Sequence, residues 1–451
     1  MSDLDIVVLA AGKGTRMRSS IPKVLHQIAG KSMLSHVIET AESLDPKAIV
    51  LVVGHDGDTV KKSIANDRLI FVTQSPQLGT GHAVLHAKPF LEAKKTLILY
   101  GDVPCISHET LTKLTASPAQ ISILTQTVEN PTGYGRILRG DEGNIISIVE
   151  EKDASDAERK SREINTGIVC LDTELLKNFL DQMSNENAQQ EYYLTDVIRF
   201  ASQKNIGIDS CEPQSAHEVI GVNSKQHLAI VEREYQRSAA DKLMNDGVTI
   251  VDPGRIDIRG TVTCDSGVHI DVGCIFEGDV QLGKSVKVGA YSIIKDSTIG
   301  DGSEILPFCH IEAAQIGERN ALGPYCRIRP KTETKPEVKI GNFVEVKATE
   351  IGDGSKVNHL AYIGDAKIGR NVNVGAGTIT CNYDGANKYQ TILEDDVFVG
   401  SDTQLVAPVK VGKGVTIAAG STITKDVAEG GLAISRTKQS HLPSWKRPIK
   451  K

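Results

Sequence analysis

Apolar runs of strand length alternate with stretches of helical spacing along roughly the first half of the chain. β-branched and other apolar residues fill the runs, as they do in strands buried on both faces of a parallel sheet. The alternation predicts an α/β domain with a mostly parallel, Rossmann-like sheet over residues 1–222. The strand-like runs are "DIVVLAA", "AIVLVVG", "RLIFVTQ", "TLILYGD" and "QISILTQ", and the helical stretches between them include "SMLSHVIETAESL" and "GHAVLHAKPFL".

The stretch at 223–247 has one apolar stripe at helical spacing, with charged residues opposite and a glycine at its end. This pattern is typical of an amphipathic helix closed by a C-terminal glycine. We therefore expect a connecting helix here, followed by a second domain over 248–451. The stripe consists of Leu228, Val231, Tyr235, Ala239 and Leu243.

Helical periodicity disappears after about residue 248, and short units of apolar residues and glycine repeat instead. Apolar residues recur every five or six positions, so three of them fill about 17 residues. A period of this length predicts a triangular β-solenoid, in which each coil buries one apolar residue per face against its neighbours. The inward candidates are Leu282, Val288, Ile294, Ile299, Ile305, Ile311, Ile316, Leu322, Ile328, Ile340, Val346, Ile351, Val357, Ile363, Ile368, Val374, Val399, Leu405, Val411, Ile417 and Ile423.

Two polar stretches break this repeat, at 329–338 and at 381–390. An insertion in a solenoid projects from the surface, where such loops often carry function. A tolerated insertion without function is the alternative.

Composition and charge narrow the functional classes. A hydrophobic content of 40% allows sizeable cores, and a net charge of −6 gives no general electrostatic basis for binding nucleic acid. We expect no signal peptide, because the N-terminal segment carries Asp3 and Asp5 and lacks an apolar h-region, and no membrane-spanning segment, because no apolar run approaches the length required. The eight cysteines are scattered without C-x-x-C pairs, which favours reduced thiols in a cytoplasm over a zinc site.

The segment "LAAGKGTRM", Leu9 to Met17, directly follows the first apolar run. Its small residues allow a backbone to approach a ligand, and Lys13, Arg16 and the later Lys23 supply positive charge. It lacks the G-x-x-x-x-G-K-[ST] pattern, and Met17 stands where a dinucleotide fingerprint needs glycine. A phosphate-binding loop and a plain strand-to-helix turn both fit the segment.

Further motifs in the first half resemble those of sugar-1-phosphate nucleotidyltransferases, and motifs in the second half resemble hexapeptide-repeat acetyltransferases. Together the chain resembles the bacterial bifunctional N-acetylglucosamine-1-phosphate uridylyltransferase/glucosamine-1-phosphate acetyltransferases, from residue 6 to its end. The motifs are "LAAGKGTRM", "PKVLH" (22–26), "QLGTGHA" (77–83), "YGDVP" (100–104), "NPTGYGRI" (130–137), "EINTG" (163–167), "KVNHLAYIGD" (356–365), "NVGAGTITCNYDG" (373–385) and "FVGSDTQLVAPV" (398–409).

This resemblance implies a left-handed parallel β-helix, a homotrimer and Mg²⁺. It also implies a place in the synthesis of cell-envelope precursors. One site would acetylate glucosamine 1-phosphate with acetyl-CoA. The other would transfer uridylyl from UTP to N-acetylglucosamine 1-phosphate and release pyrophosphate.

In the uridylyltransferase half, the resemblance places the loop around the nucleotide, with Arg16 at the departing pyrophosphate and Lys23 at the α-phosphate. The uracil-reading segment would include Gln77, and amide groups suit a base edge because they both donate and accept. The resemblance assigns Gly135, Glu150 and Asn165 to the sugar. Glu150 stands beside Glu151 and Lys152, so a solvated charge run is its alternative interpretation. The implied nucleotide and sugar-nucleotide residues are Leu9, Ala10, Ala11, Gly12, Lys23, Gln74, Gly79, Thr80, Tyr100, Gly101, Asp102, Gly135, Glu150, Asn165 and Asn223.

Asp102 ends the apolar run "TLILYGD", and the carboxyl ends of parallel strands face the ligand crevice. A carboxylate there suits Mg²⁺, which binds few protein oxygens together with substrate phosphates. The resemblance adds Asn223 as the second metal ligand. A turn for Asp102 and a helix N-cap for Asn223 are the alternatives.

In the acetyltransferase half, His359 matches the family's catalytic histidine. Removing a proton from the substrate amine suits a histidine, although an isolated surface histidine is more often merely polar. The implied glucosamine-1-phosphate residues are Arg329, Lys347, Tyr362 and Asn373, and the implied acetyl-CoA residues are Ala376, Asn382, Tyr383, Ser401, Ala419 and Arg436. The basic tail suits coenzyme A phosphates, and a disordered segment past residue 440 is the alternative. Its basic residues are Arg436, Lys438, Lys446, Arg447, Lys450 and Lys451.

Two other functions remain open at this point. One is a nucleotidyltransferase whose β-helix is only structural, and the other is a β-helix metalloenzyme or trimerisation module. His269, His310 and His359 are not separated by multiples of the 17-residue period, so the coils do not align them as metal ligands.

Overall fold

The computed structural model describes residues 3–450, which divide into two compact units between Tyr235 and Gln236. The first unit is an α/β domain and the second is a parallel β-helix, so the predicted fold class is confirmed. None of the helices within residues 3–450 is long and apolar enough to span a membrane.

The first unit is built on a sheet in the order β11-β7-β10-β6-β1-β4-β5, with β8 on β10 and β9 on β8. The strands of this sheet are β1 (Leu4–Ala10), β4 (Ala48–Val53), β5 (Leu69–Thr73), β6 (Lys95–Tyr100), β7 (Ile121–Thr127), β8 (Arg136–Arg139), β9 (Ile145–Val149), β10 (Glu163–Asp172) and β11 (Ile208–Cys211), and a separate antiparallel pair consists of β2 (Gln27–Ile28) and β3 (Lys31–Ser32). The helices are α1 (Met33–Glu42), α2 (Gly57–Ile64), α3 (Thr80–Ala87), α4 (His108–Thr115), α5 (Thr173–Leu180), α6 (Asp196–Gln203) and α7 (Lys225–Asn245).

The centre of this sheet is parallel, because β1 pairs in parallel with both β4 and β6, and β4 pairs with β5. β10 runs antiparallel to β6 and β7. The five predicted apolar runs coincide with β1, β4, β5, β6 and β7. In β1 every residue from Asp5 to Ala10 is buried, as expected of a strand covered on both faces.

Two helix starts in this unit follow simple capping chemistry. The Ser32 hydroxyl accepts a hydrogen bond from the Ser35 backbone at the start of α1. The Asp172 carboxylate caps α5 by accepting from Glu174 and Leu175. Such caps satisfy backbone N–H groups that the first helical turn leaves free.

Helix α7 carries the stripe predicted from the sequence, and its apolar residues pack into two different cores. Leu228, Val231 and Tyr235 pack with a small cluster of the first unit. Ala239 and Leu243 pack against the core of the β-helix. The boundaries 1–222, 223–247 and 248–451 stay a prediction.

The β-helix begins after α7 and consists of short strands. The strands of its first part are β12 (Thr249–Ile250), β13 (Asp257–Cys264), β14 (His269–Ile270), β15 (Ile275–Leu282), β16 (Lys287–Val288), β17 (Ile293–Lys295), β18 (Thr298–Ile299), β19 (Glu304–Ile305), β20 (His310–Glu312), β21 (Ala314–Ile316), β22 (Ala321–Leu322), β23 (Arg327–Ile328), β24 (Thr332–Thr334) and β25 (Lys339–Asn342). The strands of its second part are β26 (Glu345–Lys347), β27 (Glu350–Ile351), β28 (Lys356–His359), β29 (Tyr362–Gly364), β30 (Ala366–Ile368), β31 (Asn373–Val374), β32 (Ile379–Cys381), β33 (Thr391–Leu393), β34 (Phe398–Val399), β35 (Gln404–Val406), β36 (Val409–Val411), β37 (Thr416–Ile417), β38 (Thr422–Ile423) and β39 (Leu432–Ala433).

Each strand of a coil pairs in parallel with the corresponding strand of the next coil. Thus β25, β26 and β27 pair with β28, β29 and β30. All the inward candidates predicted from the period are buried and belong to one continuous core. Stacking of coils therefore supplies this unit's apolar burial, which a single coil cannot provide.

The expectation that 329–338 projects from the β-helix is wrong. β24 lies inside this stretch and pairs with β21 before it and β27 after it. Thr332 and Thr334 are buried there, so the coil keeps its course with threonine at inward positions. The hydrophobic pattern misses this coil because threonine is polar in sequence yet fits the interior once its hydroxyl is hydrogen-bonded.

The second break is a true insertion. Thr391 pairs with Ala366, so this coil is longer than its neighbours, and the extra residues form a loop with an antiparallel bridge between Tyr383 and Lys388. Tyr383 is 59% exposed, as a projecting loop requires.

Two candidate active sites

The loop after β1 approaches Lys23 through a glycine in the left-handed region. Gly14 has φ 59°, and a Cβ added there would lie 2.6 Å from the Cβ of Lys23. Only glycine avoids both the conformational strain and this clash, so Gly14 lets the loop pack directly on Lys23. A Cβ at Gly12 would meet no atom within 4 Å, which leaves that backbone open to a ligand.

The side chain of Lys23 contacts both predicted metal ligands. Its Nζ forms an ion pair with Asp102 and donates a hydrogen bond of 2.8 Å to Asn223 Oδ1. The backbone of Val222 donates to the Asp102 carbonyl at 2.9 Å, which brings the segment before α7 to the end of β6. The side chains of Lys23 and Asp102 are only 12% and 15% exposed.

The oxygens of Asp102 and Asn223 thus converge on one positive charge. Carboxylate and amide oxygens are the hard ligands that Mg²⁺ prefers. The donor set therefore fits a divalent cation.

A cavity of about 460 Å³ contains most of the predicted nucleotide-binding residues. It adjoins a second cavity of about 610 Å³ that extends towards Gly54 and His55. The residues shared between the prediction and the lining of the smaller cavity are Leu9, Ala10, Ala11, Gly12, Lys23, Gln74, Gln77, Gly79, Thr80, Tyr100 and Asp102.

Two glutamine amides hold the walls of this cavity. Gln74 Nε2 donates to the Gly79 carbonyl at 2.9 Å and lies 3.1 Å from His82 Nδ1. Gln77 Nε2 donates to the Ala11 carbonyl at 2.5 Å and so ties the loop after β1 to the segment after β5.

The predicted sugar-binding residues lie together on the other side of Tyr100. The Asn165 backbone donates to the Gly135 carbonyl at 2.9 Å, and Thr195 Oγ1 donates to Glu150 Oε1 at 3.4 Å. Burial is the main cause that raises the pKa of the Glu150 carboxyl, and the nearby carboxylates of Asp153 and Glu191 add to it. Glu150 is therefore a partly buried acid rather than a member of a solvated charge run.

Arg16 and Gly101 belong neither to the lining of the smaller cavity nor to the group around Glu150, and Asn223 contacts that lining through Lys23. Arg16 is exposed in a short 3-10 helix, Thr15–Met17. Gly101 is buried and donates its N–H to the Leu9 carbonyl at 2.9 Å, which fixes β6 against β1.

In the β-helix, His359 at the end of β28 lines a cavity of about 520 Å³. Arg436 donates to the Ala419 carbonyl at 2.7 Å and so lies at the same wall. The predicted residues in the lining are His359, Asn373, Ala376, Ser401 and Ala419.

A second group of predicted residues forms a charged cluster around Asp365. Lys347 Nζ lies 3.6 Å from Asp365 Oδ2, and Asn382 Nδ2 donates to the same carboxylate oxygen. Arg329 pairs with Glu345 at 2.7 Å, and Glu345 is the register partner of Tyr362. Tyr383 points its hydroxyl to the Gly385 carbonyl at 2.5 Å within the projecting loop.

Sequence reasoning missed Lys388, Asn342 and Glu191. The projecting loop brings Lys388 to Lys347, and hydrogen bonding to Lys347 together with its charge lowers the pKa of Lys388. Asn342 contacts His359 and is 17 residues before it, so the coil period was a usable signal. Glu191 lines the nucleotide cavity, and nothing in its sequence context marks it.

Comparisons with known proteins agree with both halves. A MobA-like NTP transferase domain model matches residues 6–141, and a bacterial transferase hexapeptide model with six repeats matches 390–425. The bifunctional protein GlmU of Ralstonia pickettii is 54% identical over 450 residues, covering 99% of both chains. That of Nitrosospira multiformis is 55% identical over 455 residues, covering 100% of this chain and 99% of its own.

The chain belongs to the GlmU family. It is accordingly an enzyme with two activities, a uridylyltransferase and an acetyltransferase, and the single-activity alternative is excluded. Family membership also implies a divalent metal in the nucleotidyltransferase half. Among solved structures, HddC of Yersinia pseudotuberculosis aligns with 51% of this chain and 99% of its own, at 21% identity and a TM-score of 0.40.

Proposed function

We propose that residues 1–222 transfer uridylyl from UTP to N-acetylglucosamine 1-phosphate and that residues 248–451 acetylate glucosamine 1-phosphate, with 223–247 as a helical linker. The observation that carries the first assignment is the cluster of Lys23, Asp102 and Asn223 at a cavity lined by a small-residue loop. Both reactants of uridylyl transfer are anions, so the site must chiefly neutralise charge.

In uridylyl transfer a phosphate oxygen of the sugar phosphate attacks the α-phosphorus of UTP, and pyrophosphate leaves. Lys23 would meet the charge on the α-phosphate, and Arg16, on the exposed side of the loop, would meet the departing pyrophosphate. Asp102 and Asn223 would hold Mg²⁺, which when bound neutralises phosphate charge. Gln74 and Gly79 face the base, while Glu150 and Asn165 face the sugar.

In acetyl transfer the substrate amine attacks the thioester carbonyl carbon, and the C–S bond breaks. His359 takes the amine proton and returns a proton to the departing thiolate. Arg329, Lys347 and Tyr362 would bind the sugar phosphate, and Lys388 joins them because it lies against Lys347.

We also propose that the protein is a homotrimer assembled along one corner of the β-helix. The support is an exposed apolar column in which four aromatic rings stack with centroids 5.5, 4.9 and 5.4 Å apart. Exposed apolar surface of this kind marks an interaction site. The members of this corner column are Tyr291, Phe308, Tyr325, Phe343 and Leu360, which are 46–64% exposed.

The corner column passes beside His359, because Leu360 is the next residue. A second copy of the chain bound there would form one side of the acetyltransferase cavity. We expect native protein to sediment as a trimer. We expect Tyr325→Asp with Phe343→Asp to sediment as a monomer that loses acetyl transfer and keeps uridylyl transfer. A trimer with both substitutions would remove the corner column as the interface.

A cytoplasmic location completes the proposal, supported by the free thiols of the eight cysteines. The product would supply cell-envelope synthesis.

Two separate assays on two matched variants test the site assignments. Acetyl transfer is followed by thiol release from glucosamine 1-phosphate and acetyl-CoA, and uridylyl transfer is followed by pyrophosphate release from supplied N-acetylglucosamine 1-phosphate, UTP and Mg²⁺. We expect His359→Ala to lower acetyl transfer by roughly 10²- to 10⁴-fold with little change in uridylyl transfer. Asp102→Ala should do the reverse. Equal loss of both activities in either variant would contradict separate sites.

A further inference from the structure

His359 has a side-chain partner that none of the roles above includes. Its Nδ1 lies 2.9 Å from Oδ1 of Asn342, one coil earlier. The two residues are direct register partners between β25 and β28. On the same paired strands, two residues earlier, the register partners Ile340 and Val357 are both buried in the core.

A backbone hydrogen bond of Asn342 also holds the two coils together next to His359. The Asn342 carbonyl accepts the N–H of Leu360 at 3.1 Å, directly after His359. A Cβ at Gly341 would lie 1.9 Å from the Asn358 carbonyl, so glycine permits the close approach of these two coils. The contact between Asn342 and His359 is thus held by the stacking of the coils rather than by two free side chains.

The oxygen of a carboxamide accepts hydrogen bonds and does not donate them. An imidazole nitrogen that contacts this oxygen therefore carries the proton, and the other nitrogen, Nε2, keeps its lone pair. A histidine needs this tautomer to accept a proton through Nε2, and in many sites a carboxylate or carbonyl enforces it.

Among the described residues that line the cavity, His359 is the only histidine and none is Asp, Glu, Lys or Arg, while Arg436 contacts the wall through the Ala419 carbonyl. Asn342 is the residue whose side chain contacts the His359 ring at hydrogen-bond distance, so it is in a position to orient the ring.

We propose that Asn342 is a positioning residue for acetyl transfer, holding the Nδ1 proton of His359 so that Nε2 accepts the proton of the substrate amine. In the balanced step the amine nitrogen bonds to the carbonyl carbon and the C–S bond breaks. The amine proton moves to Nε2 and then to the departing sulfur, so Asn342 itself exchanges no proton. The proposal rests on the assignment of His359 as the base.

The experiment compares Asn342→Ala, Asn342→Asp and His359→Ala in the full chain, with Gln315→Ala as a control that removes an exposed amide elsewhere in the β-helix. Initial rates of acetyl transfer are measured from pH 6 to 9, and uridylyl transfer is measured on the same samples. Asn342→Ala removes the acceptor, and we expect kcat for acetyl transfer to fall about 10- to 100-fold, as for other lost orienting partners. KM for glucosamine 1-phosphate should change little.

Asn342→Asp keeps an acceptor of the same shape and adds a negative charge that favours the imidazolium. We expect it to retain far more activity at high pH than Asn342→Ala, with the acidic limb of its kcat profile moved to higher pH. ¹⁵N spectra of the imidazole should show a protonated Nδ1 in native protein and a mixture of tautomers in Asn342→Ala. A purely structural asparagine would move neither the pH profile nor the tautomer.

The outcomes separate this inference from the function on which it rests. Full acetyl transfer in His359→Ala would overturn the assignment of the base. Loss of activity in His359→Ala together with native rates and an unchanged tautomer in Asn342→Ala would overturn the role of Asn342 alone. Equal inactivity of Asn342→Asp and Asn342→Ala at every pH, with native melting temperatures, would also overturn it.

Discussion

Gly54 is a residue at which one methyl group should weaken UTP binding without touching the nucleotide. It directly follows β4 and lines the larger of the two adjoining cavities. A Cβ there would lie 2.0 Å from Gln77 Nε2 and 2.6 Å from the Ala11 carbonyl oxygen. Its backbone lies outside the left-handed region, so Gly54→Ala acts through contact and not through strain.

The size of the effect follows from the two contacts. The Gln77 amide is the flexible end of a side chain and moves away, at the loss of its hydrogen bond to Ala11, about 1 kcal/mol. The Ala11 carbonyl is backbone, so the loop itself must shift, and such overpacking costs about 1–3 kcal/mol. The sum of about 2–4 kcal/mol corresponds to a rise in KM for UTP of roughly 30- to 1,000-fold.

The assay is a double-mutant cycle on uridylyl transfer with Gly54→Ala, Gln77→Ala and both together. Gln77→Ala alone should raise KM for UTP about five-fold, and the double variant should resemble Gly54→Ala because the amide is already displaced. Gly207→Ala is the matched control, since a Cβ there meets nothing within 4 Å. A change below two-fold in Gly54→Ala, or full additivity of the two substitutions, would refute the reasoning.

Three further substitutions test other parts of the molecule. Gly12→Ala should leave the melting temperature unchanged but raise KM for UTP about tenfold, because its methyl would meet no protein atom and would enter the nucleotide space; an unchanged KM would remove the loop from the site. Burial raises the pKa of Glu150, so its charged form is disfavoured in the folded state and stability falls as pH rises from its ordinary value through the raised one. Glu150→Gln should therefore match native stability at acid pH, exceed it at neutral pH and weaken sugar-phosphate binding; a pH-independent difference in melting temperature would contradict this. The buried hydroxyl of Thr391 has no hydrogen-bond partner within residues 3–450, so Thr391→Val should stabilise the β-helix by about 1 kcal/mol in thermal unfolding, and destabilisation would reveal a missed partner.

The β-helix could be predicted almost residue by residue because its constraint is local and periodic. Each inward position faces the same narrow core, so the same residue class recurs. The central strands of the α/β unit were equally predictable from the sequence, since burial on both faces leaves continuous apolar runs. The antiparallel direction of β10 was not predictable, because strand direction depends on pairing with distant strands, which the composition of the strand itself does not show.

The residues of the candidate sites also differ in whether a local pattern predicts them. Asp102 is predictable because ligands bind at the carboxyl ends of parallel strands, and it follows β6. Asn223 contacts Lys23 from 200 residues away in the sequence and was named only through the resemblance. Lys388 reaches Lys347 through an irregular loop whose path no period describes. Asn342 differs from these, because stepping back 17 residues from His359 finds it directly.

The two polar stretches of the β-helix show that the 17-residue period reports the length of a coil and not the polarity of its side chains. Ile328, Thr334 and Ile340 are six residues apart, so the first stretch keeps its inward positions and changes only the side chain placed there. Buried Thr332 donates to the Arg329 carbonyl at 2.8 Å, and the Gly317 N–H donates to Thr334 Oγ1 at 3.0 Å, so both hydroxyls are satisfied. The second stretch instead lengthens the coil, and its extra residues have no inward position to occupy. Counting positions separates the two cases where hydrophobicity does not, since only a change of coil length forces the chain to leave the β-helix surface.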